Sequence, residues 1–251
     1  MQHVKEQNWF AVGLDVIVVI VGIFLGLQVQ QWYLDREFDE NEQVLLVKLI
    51  DEIETNNRIA QYKINYRTQV IDSGERALKF LNNQEQCKSN CWSLLVDFFI
   101  ASQATTMPIV SNIVEEMQRQ GMPRNEKVKS SVNEYYVLSK SFSNATSINS
   151  NYPYRELVRQ LMPSKSHSVL WETCLEVDAV GLEILIHDCP QGLSDQEIDI
   201  ILERFKTTPL LKDYMNHWVG MQYPWRKYYL TEIEAGLKTI TVIEQALIDP
   251  H

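Results

Sequence analysis

WFAVGLDVIVVIVGIFLGL, running from Trp9 to Leu27, is the stretch that decides the architecture. Its only ionisable side chain is Asp15. Crossing the apolar core of a bilayer, about 30 Å thick, takes roughly 20 apolar residues in a helix. Aromatic side chains bracket the run, Trp9 and Phe10 before it and Trp32 and Tyr33 after it. At ~1.5 Å per residue, Trp9 and Trp32 lie about 35 Å apart, close to the distance between the two membrane interfaces. Run length and aromatic belts therefore predict one transmembrane helix over residues 9–31. It follows a short tail, 1–8, and precedes a domain over 32–251. A buried core helix of a soluble protein is the competing interpretation. A cleaved signal peptide fits less well. Such a peptide wants a basic start and a small-x-small cleavage site, whereas QVQQW at Gln28–Trp32 offers none.

Direction comes from the flanks. The N-terminal side carries Lys5, and the C-terminal side continues as DREFDENE from Asp35 to Glu42. Cationic flanks stay in the cytoplasm, which predicts a cytoplasmic N-terminus and an extracytoplasmic domain. The chain has 4 cysteines, Cys87, Cys91, Cys174 and Cys189. In an oxidising compartment, a small even number predicts two disulfides. The local pairs Cys87–Cys91 and Cys174–Cys189 are favoured among the three possible pairings. Four unrelated thiols, or a zinc site using Cys174, His187 and Cys189, remain alternatives.

The anchor has a face. At 100° per residue, Asp15, Gly22 and Gly26 fall within about 40° of one another. Glycines four apart let two membrane helices approach closely. A carboxylate at that depth prefers a partner or water over lipid. The bland alternatives are chance glycines and an acid near the headgroups.

Beyond the anchor, no proline occurs from Trp32 to Asn82. Apolar residues recur at helical spacing there, among them Leu45, Leu46, Leu49, Ile53, Tyr66, Val70 and Leu81. The pattern predicts a long first helix. Pro209 begins the last stretch, in which Tyr229 to Leu247 repeats Leu230, Ile233, Leu237, Ile240, Ile243 or Glu244, and Leu247. The fold expected is all-α, an elongated bundle whose first and last long helices pair antiparallel. Pro108 is expected to open a helix through Gln120, with Gly121 as its stop. Another helix is expected over Asn125–Ile148 and a short one over Tyr154–Leu161. Residues 164–168 are expected as a loop. The segment Val169–His187 is expected as a helix, with some strand character at LEILI. Ser194 and Glu197 form a capping box for the helix through Phe205. The polar run SNATSINSNYP, 143–153, is the clearest linker and a possible sub-boundary.

Composition narrows function by exclusion. A net charge of −10 argues against nucleic acid as a partner. No phosphate-cradling loop, metalloprotease helix or serine-nucleophile elbow is present, so no catalytic, cofactor or metal residue is nominated. A Ser–His–Asp set drawn from His167 or His187 has no support in spacing. Acid pairs such as Asp51/Glu52 and Glu115/Glu116 are expected on solvated helix faces. The cluster His217, Trp218, Tyr223, Trp225, Tyr228 and Tyr229 is the best pocket candidate, with core packing against the first helix as its alternative.

The run from Asp15 to Trp32 resembles the N-terminus of a family of bacterial single-pass membrane proteins of unknown activity. Asp15, Val18, Val19, Gly22, Ile23, Leu27, Gln28 and Trp32 carry the resemblance. Where that pattern has Asn-Trp-Asn, this chain has Gln31-Trp32-Tyr33. The resemblance implies an inner-membrane anchor with a periplasmic domain, and no activity. On residues and resemblance together, the chain is expected to be an interaction, assembly or sensing module. It is expected to self-associate, or bind a membrane partner, through its anchor. The alternative is a subunit of an ion-driven membrane complex using Asp15.

Overall fold

The structure, a computed structural model, describes residues 9–83, 86–148 and 152–249, with side chains from residue 13 and none for 146–148. The tail 1–8, and with it Lys5, lies outside them. Helix α1 spans Trp9–Asn83, 75 residues without a break, or about 110 Å at ~1.5 Å per residue. It is followed by α2 (Cys91–Ala101), α3 (Asn112–Arg119), α4 (Glu126–Ile148), α5 (Pro153–Leu161) and α6 (Ser164–Thr173). A two-stranded hairpin, β1 (Leu175–Val177) and β2 (Glu183–Leu185), then precedes α7 (Asp195–Thr207) and α8 (Leu211–Ile248). The fold is all-α, apart from this one antiparallel hairpin among the described residues.

Helices α1 and α8 pack antiparallel along the domain. Val219 of α8 lies against Gly74, and Asn57 of α1 lies against Gly236. At both places a Cβ on the glycine would collide with its neighbour. These two glycines let the long helices approach. Pro224 sits inside α8. Its ring lacks the amide that would bond the carbonyl four residues back, which belongs to Gly220.

Two apolar cores flank the pair. The one nearer the anchor gathers Leu45, Leu49 and Ile53 of α1 with Met117, Val132, Tyr136 and Ile243. The distal core gathers Tyr66, Val70 and Leu81 with Phe98, Phe99, Val158, Phe205 and Trp218. Between them a small cluster holds Ala60, Ile64, Trp225 and Tyr229.

Several local expectations are corrected by tertiary contacts. The helix expected from Pro108 begins only at Asn112. The preceding connector is held extended by side chains of α1. Asn56 Nδ2 donates to Val110 O, and its Oδ1 accepts from Val110 N, both at 2.8 Å. Lys63 Nζ donates to Met107 O at 2.7 Å. The Glu52 carboxylate accepts from the amides of Ile113 (2.8 Å) and Val114 (3.3 Å) at the start of α3, and from the Tyr136 hydroxyl at 2.6 Å. Glu42 accepts from Arg124 N at 3.0 Å. A half-buried connector must satisfy its backbone somewhere, and here α1 supplies the partners. Glu52, expected on a solvated face, is thus buried.

The helix expected over 169–187 ends at Thr173, while the loop expected over 164–168 belongs to that helix. Leu170 anchors it in the distal core. The chain then reverses through the hairpin. Asp178 Oδ1 accepts from the amides of Val180 and Leu182, and Gly181 takes φ 86°. Leu185 is buried while its neighbour Ile184 is exposed. This is the alternation of a half-covered strand. The polar run from Ser143 is helical as far as Ile148, and residues 149–151 lie outside the description. Helix α8 starts at Leu211, two residues after Pro209, and includes the repeat from Tyr229. Its Leu230 and Leu237 are exposed, and the stripe that packs is Trp225, Tyr229, Glu232, Gly236, Ile240 and Ile243.

Candidate functional site

The helix that starts at Trp9 is the one among the described residues long and apolar enough to cross a membrane, and none of its apolar window is buried by the other described residues. Its side chains from Gly13 to Leu34 are exposed. Asp15, Gly22 and Gly26 therefore lie on a surface that none of the described residues covers. A Cβ at Gly22 or Gly26 would meet nothing. Trp32 is exposed at the far end of the segment, with the Arg36 guanidinium 6.0 Å from its ring centre. The Trp9 backbone begins α1, and its side chain is outside the description. The helix continues directly into the domain, so the anchor and the long core helix are one element.

The cysteines lie at disulfide distance in two local pairs. Cys87 and Cys91 have Cα atoms 5.7 Å apart, and Cys91 is the first residue of α2. Cys174 and Cys189, with Cα atoms 5.1 Å apart, close the base of the hairpin. Both ring nitrogens of His187 have side-chain partners. Its Nε2 lies 3.0 Å from Asp97 Oδ1 and 3.3 Å from Ser93 Oγ, and its Nδ1 lies 3.1 Å from Asp188 Oδ1. These distances bring together a serine, a histidine and two aspartates, which the sequence spacing did not suggest. Asp97 occupies the same nitrogen that would take a serine proton. It is buried and also accepts from Arg76 through Nε (3.0 Å) and Nη2 (2.6 Å). The hydrogen bonds to Asp97 raise the Arg76 pKa. The arrangement is an ionic clasp joining α1, α2 and the residues after β2.

The aromatic set on α8 does not converge on one pocket. Trp218, Trp225 and Tyr229 are buried, whereas Tyr223 and Tyr228 are exposed. Trp218 Nε1 donates to Ala101 O at 2.7 Å. His217 stacks on Tyr152 with ring centres 5.1 Å apart, and Tyr228 stacks on Phe142 at 4.9 Å. Core packing against α1 accounts for the buried members.

Sequence reasoning missed the feature beneath them. Between the two cores, α1 and α8 bury charge: Lys63 is 2% exposed, Arg67 5% and Glu232 2%. Arg67 donates to Gln222, itself buried. Lys63 Nζ lies 5.2 Å and Arg67 Cζ 5.5 Å from the centre of the Tyr229 ring. Burial pushes the Lys63 pKa down, partly offset by the Glu232 charge and reinforced by that of Arg67. Burial pushes the Glu232 carboxyl up, partly offset by Lys63 and by Ser139. Desolvation thus outweighs mutual attraction on both sides of the pair. Nearby, Arg155 is lowered to about 10 by burial and by the charge of Arg159. No sequence signal separates Lys63 or Arg67 from solvated helix residues, since each is a single polar letter in an amphipathic helix.

No protein-family model, no curated protein and no solved structure matches the chain.

Proposed function

We propose that the chain is a single-pass bacterial inner-membrane protein with its N-terminus in the cytoplasm and its helical domain in the periplasm. In this reading it works as an interaction, assembly or sensing module, associating through the face of Asp15, Gly22 and Gly26 with a second copy or a membrane partner. The observation that carries this is α1. A fully exposed apolar segment continues, without a break, into the helix that forms the spine of the domain. A rigid helix of this kind conveys the position of one end to the other. Two cysteine pairs at disulfide distance accord with an oxidising compartment.

Topology is tested by fusing alkaline phosphatase to the C-terminus, with activity expected; inactive fusions refute a periplasmic domain. Association is tested with Gly22→Ile/Gly26→Ile in a membrane two-hybrid assay, and an unchanged signal removes the glycine face from the proposal. Asp15 favours a second reading, a subunit of an ion-driven complex, because it is an exposed acid within an exposed apolar segment. Under that reading Asp15→Asn abolishes function in vivo, whereas under the first it is mild.

A further inference from the structure

The layer between the two apolar cores leaves polar atoms unpaired. Three side-chain atoms there are sealed from solvent without a hydrogen-bond partner among the described residues: Arg67 Nε, the hydroxyl of Tyr229 and Asn57 Oδ1. Two of these, Arg67 Nε and the Tyr229 hydroxyl, carry a proton to donate. Buried polar atoms in native proteins are almost always partnered, by protein, water or ligand, so several orphans in one layer point to something held there. The layer also has a charge imbalance. Lys63 and Arg67 bring two cations, and Glu232 brings one carboxylate that acts on Lys63 through space. Among the described residues no ion-pair contact joins Glu232 to either cation. Both cations lie close to the Tyr229 ring, at 5.2 Å and 5.5 Å from its centre. Ordered water satisfies hydroxyls but supplies no charge, and a buried cation without a counter-charge is costly.

We propose that this layer is a binding site for a small monovalent anion, of halide or short-carboxylate type, held by Arg67, Lys63 and the hydroxyl of Tyr229. One negative charge balances the excess. Small size follows from enclosure: Ala60 and Ile64 are buried beside the layer, as are Trp225 and Tyr229. Lys63 and Arg67 belong to the same unbroken helix as the anchor, so a bound ion ties that helix to α8 at the level where the apolar cores are interrupted.

The test uses the full-length protein in detergent, disulfides intact, at one pH and one ionic strength. Sodium gluconate, whose anion is too large for the layer, is the background salt. Chloride, acetate and sulfate are each titrated in against it. Thermal unfolding is followed by far-ultraviolet circular dichroism. An anion bound only by the folded state at a hundredfold excess over its Kd raises the midpoint by about 5–10 °C. A saturating rise with chloride alone identifies an inorganic ion, a rise with acetate identifies a carboxylate, and sulfate gives none. Tyr229→Phe keeps the ring and removes an orphan hydroxyl. It is expected to be as stable as the wild type in gluconate, or more so, and to lose at least half of the anion-dependent rise. Equal wild-type midpoints in gluconate, chloride and acetate overturn the proposal and leave the layer to water. An undiminished rise in Tyr229→Phe overturns it as well.

Discussion

Helix α1 contains two regions that obey opposite rules. From Gly13 to Leu34 it is almost wholly apolar and entirely exposed. From Glu42 to Leu81 it carries many charged and amide side chains, yet buries Glu42, Glu52, Asn56, Lys63 and Arg67 along with its leucines. Hydrophobicity predicts burial only when the solvent is water. In the first region the expected surroundings are lipid, and apolar exposure costs nothing there. In the second, Glu42, Glu52, Asn56 and Lys63 are buried with hydrogen bonds to the chain between α2 and α4, and Arg67 with one to Gln222 of α8. The same backbone geometry serves both, and what differs is the medium or chain packed around it.

The contrast can be broken at several points. The largest effect is expected at Glu52, whose carboxylate is the acceptor for two amides and one hydroxyl. Glu52→Ala strands three donors, at about 1–3 kcal/mol each when buried, and the domain is expected to lose about 4 kcal/mol in chemical unfolding. A loss under 1 kcal/mol would show that the connector does not depend on α1.

A matched pair of truncations tests the contrast directly. Leu49 is fully buried, and Leu49→Ala is expected to cost about 3 kcal/mol through lost transfer energy and the cavity left behind. Ile20 is exposed in the anchor, and Ile20→Ala is expected to leave the unfolding of the domain unchanged. If both shift the midpoint equally, the anchor packs on the domain and the division of α1 is wrong.

A smaller, opposite effect is expected where α7 meets α8. Leu210 holds φ 67° ahead of α8, a left-handed conformation that costs an L-residue about 1 kcal/mol. Leu210→Gly is expected to raise stability by about that much without altering α1. A destabilised variant would mean that the Leu210 side chain matters more than its backbone.

The smallest effect is one of pH, at a site far from α1. The Lys165 ammonium, together with the Ser194 amide and hydroxyl, lowers the exposed Glu197 carboxyl from 4.5 to about 2. A depressed folded pKa gives a contribution present above 4.5 and lost as the pH falls towards 2. Carbon-13 resonances of Glu197 are expected to titrate near that lower value. With Lys165→Ala the midpoint moves back up, and an unmoved midpoint would leave Ser194 as the sole cause.

Legibility in the sequence followed the range of the interactions. The capping box at Ser194 and Glu197 is there with both its hydrogen bonds, because it involves residues three apart. The long helices were legible because their apolar stripes repeat over many turns. The stripe on α8 was legible in part, since Ile240 and Ile243 are buried whereas Leu230 and Leu237 fit a helical period but are exposed. The hairpin was only hinted at, in LEILI, because its folding back relies on Asp178 and Gly181 and on Cys174 lying close to Cys189. The clasp of Arg76, Asp97 and His187 and the polar layer were invisible, because their members lie far apart in the chain.

The sequence by itself determined the all-α class, the apolar run long enough to cross a membrane, and the antiparallel partnership of α1 with α8. All three rest on period, composition and length, which a chain carries locally. Only the tertiary structure decided which polar residues are buried, where α3 begins and where the chain turns into a hairpin. A hydrogen bond to Glu52 from an amide some 60 residues on, or a cation buried beside Tyr229, depends on what packs opposite, and no local pattern encodes that.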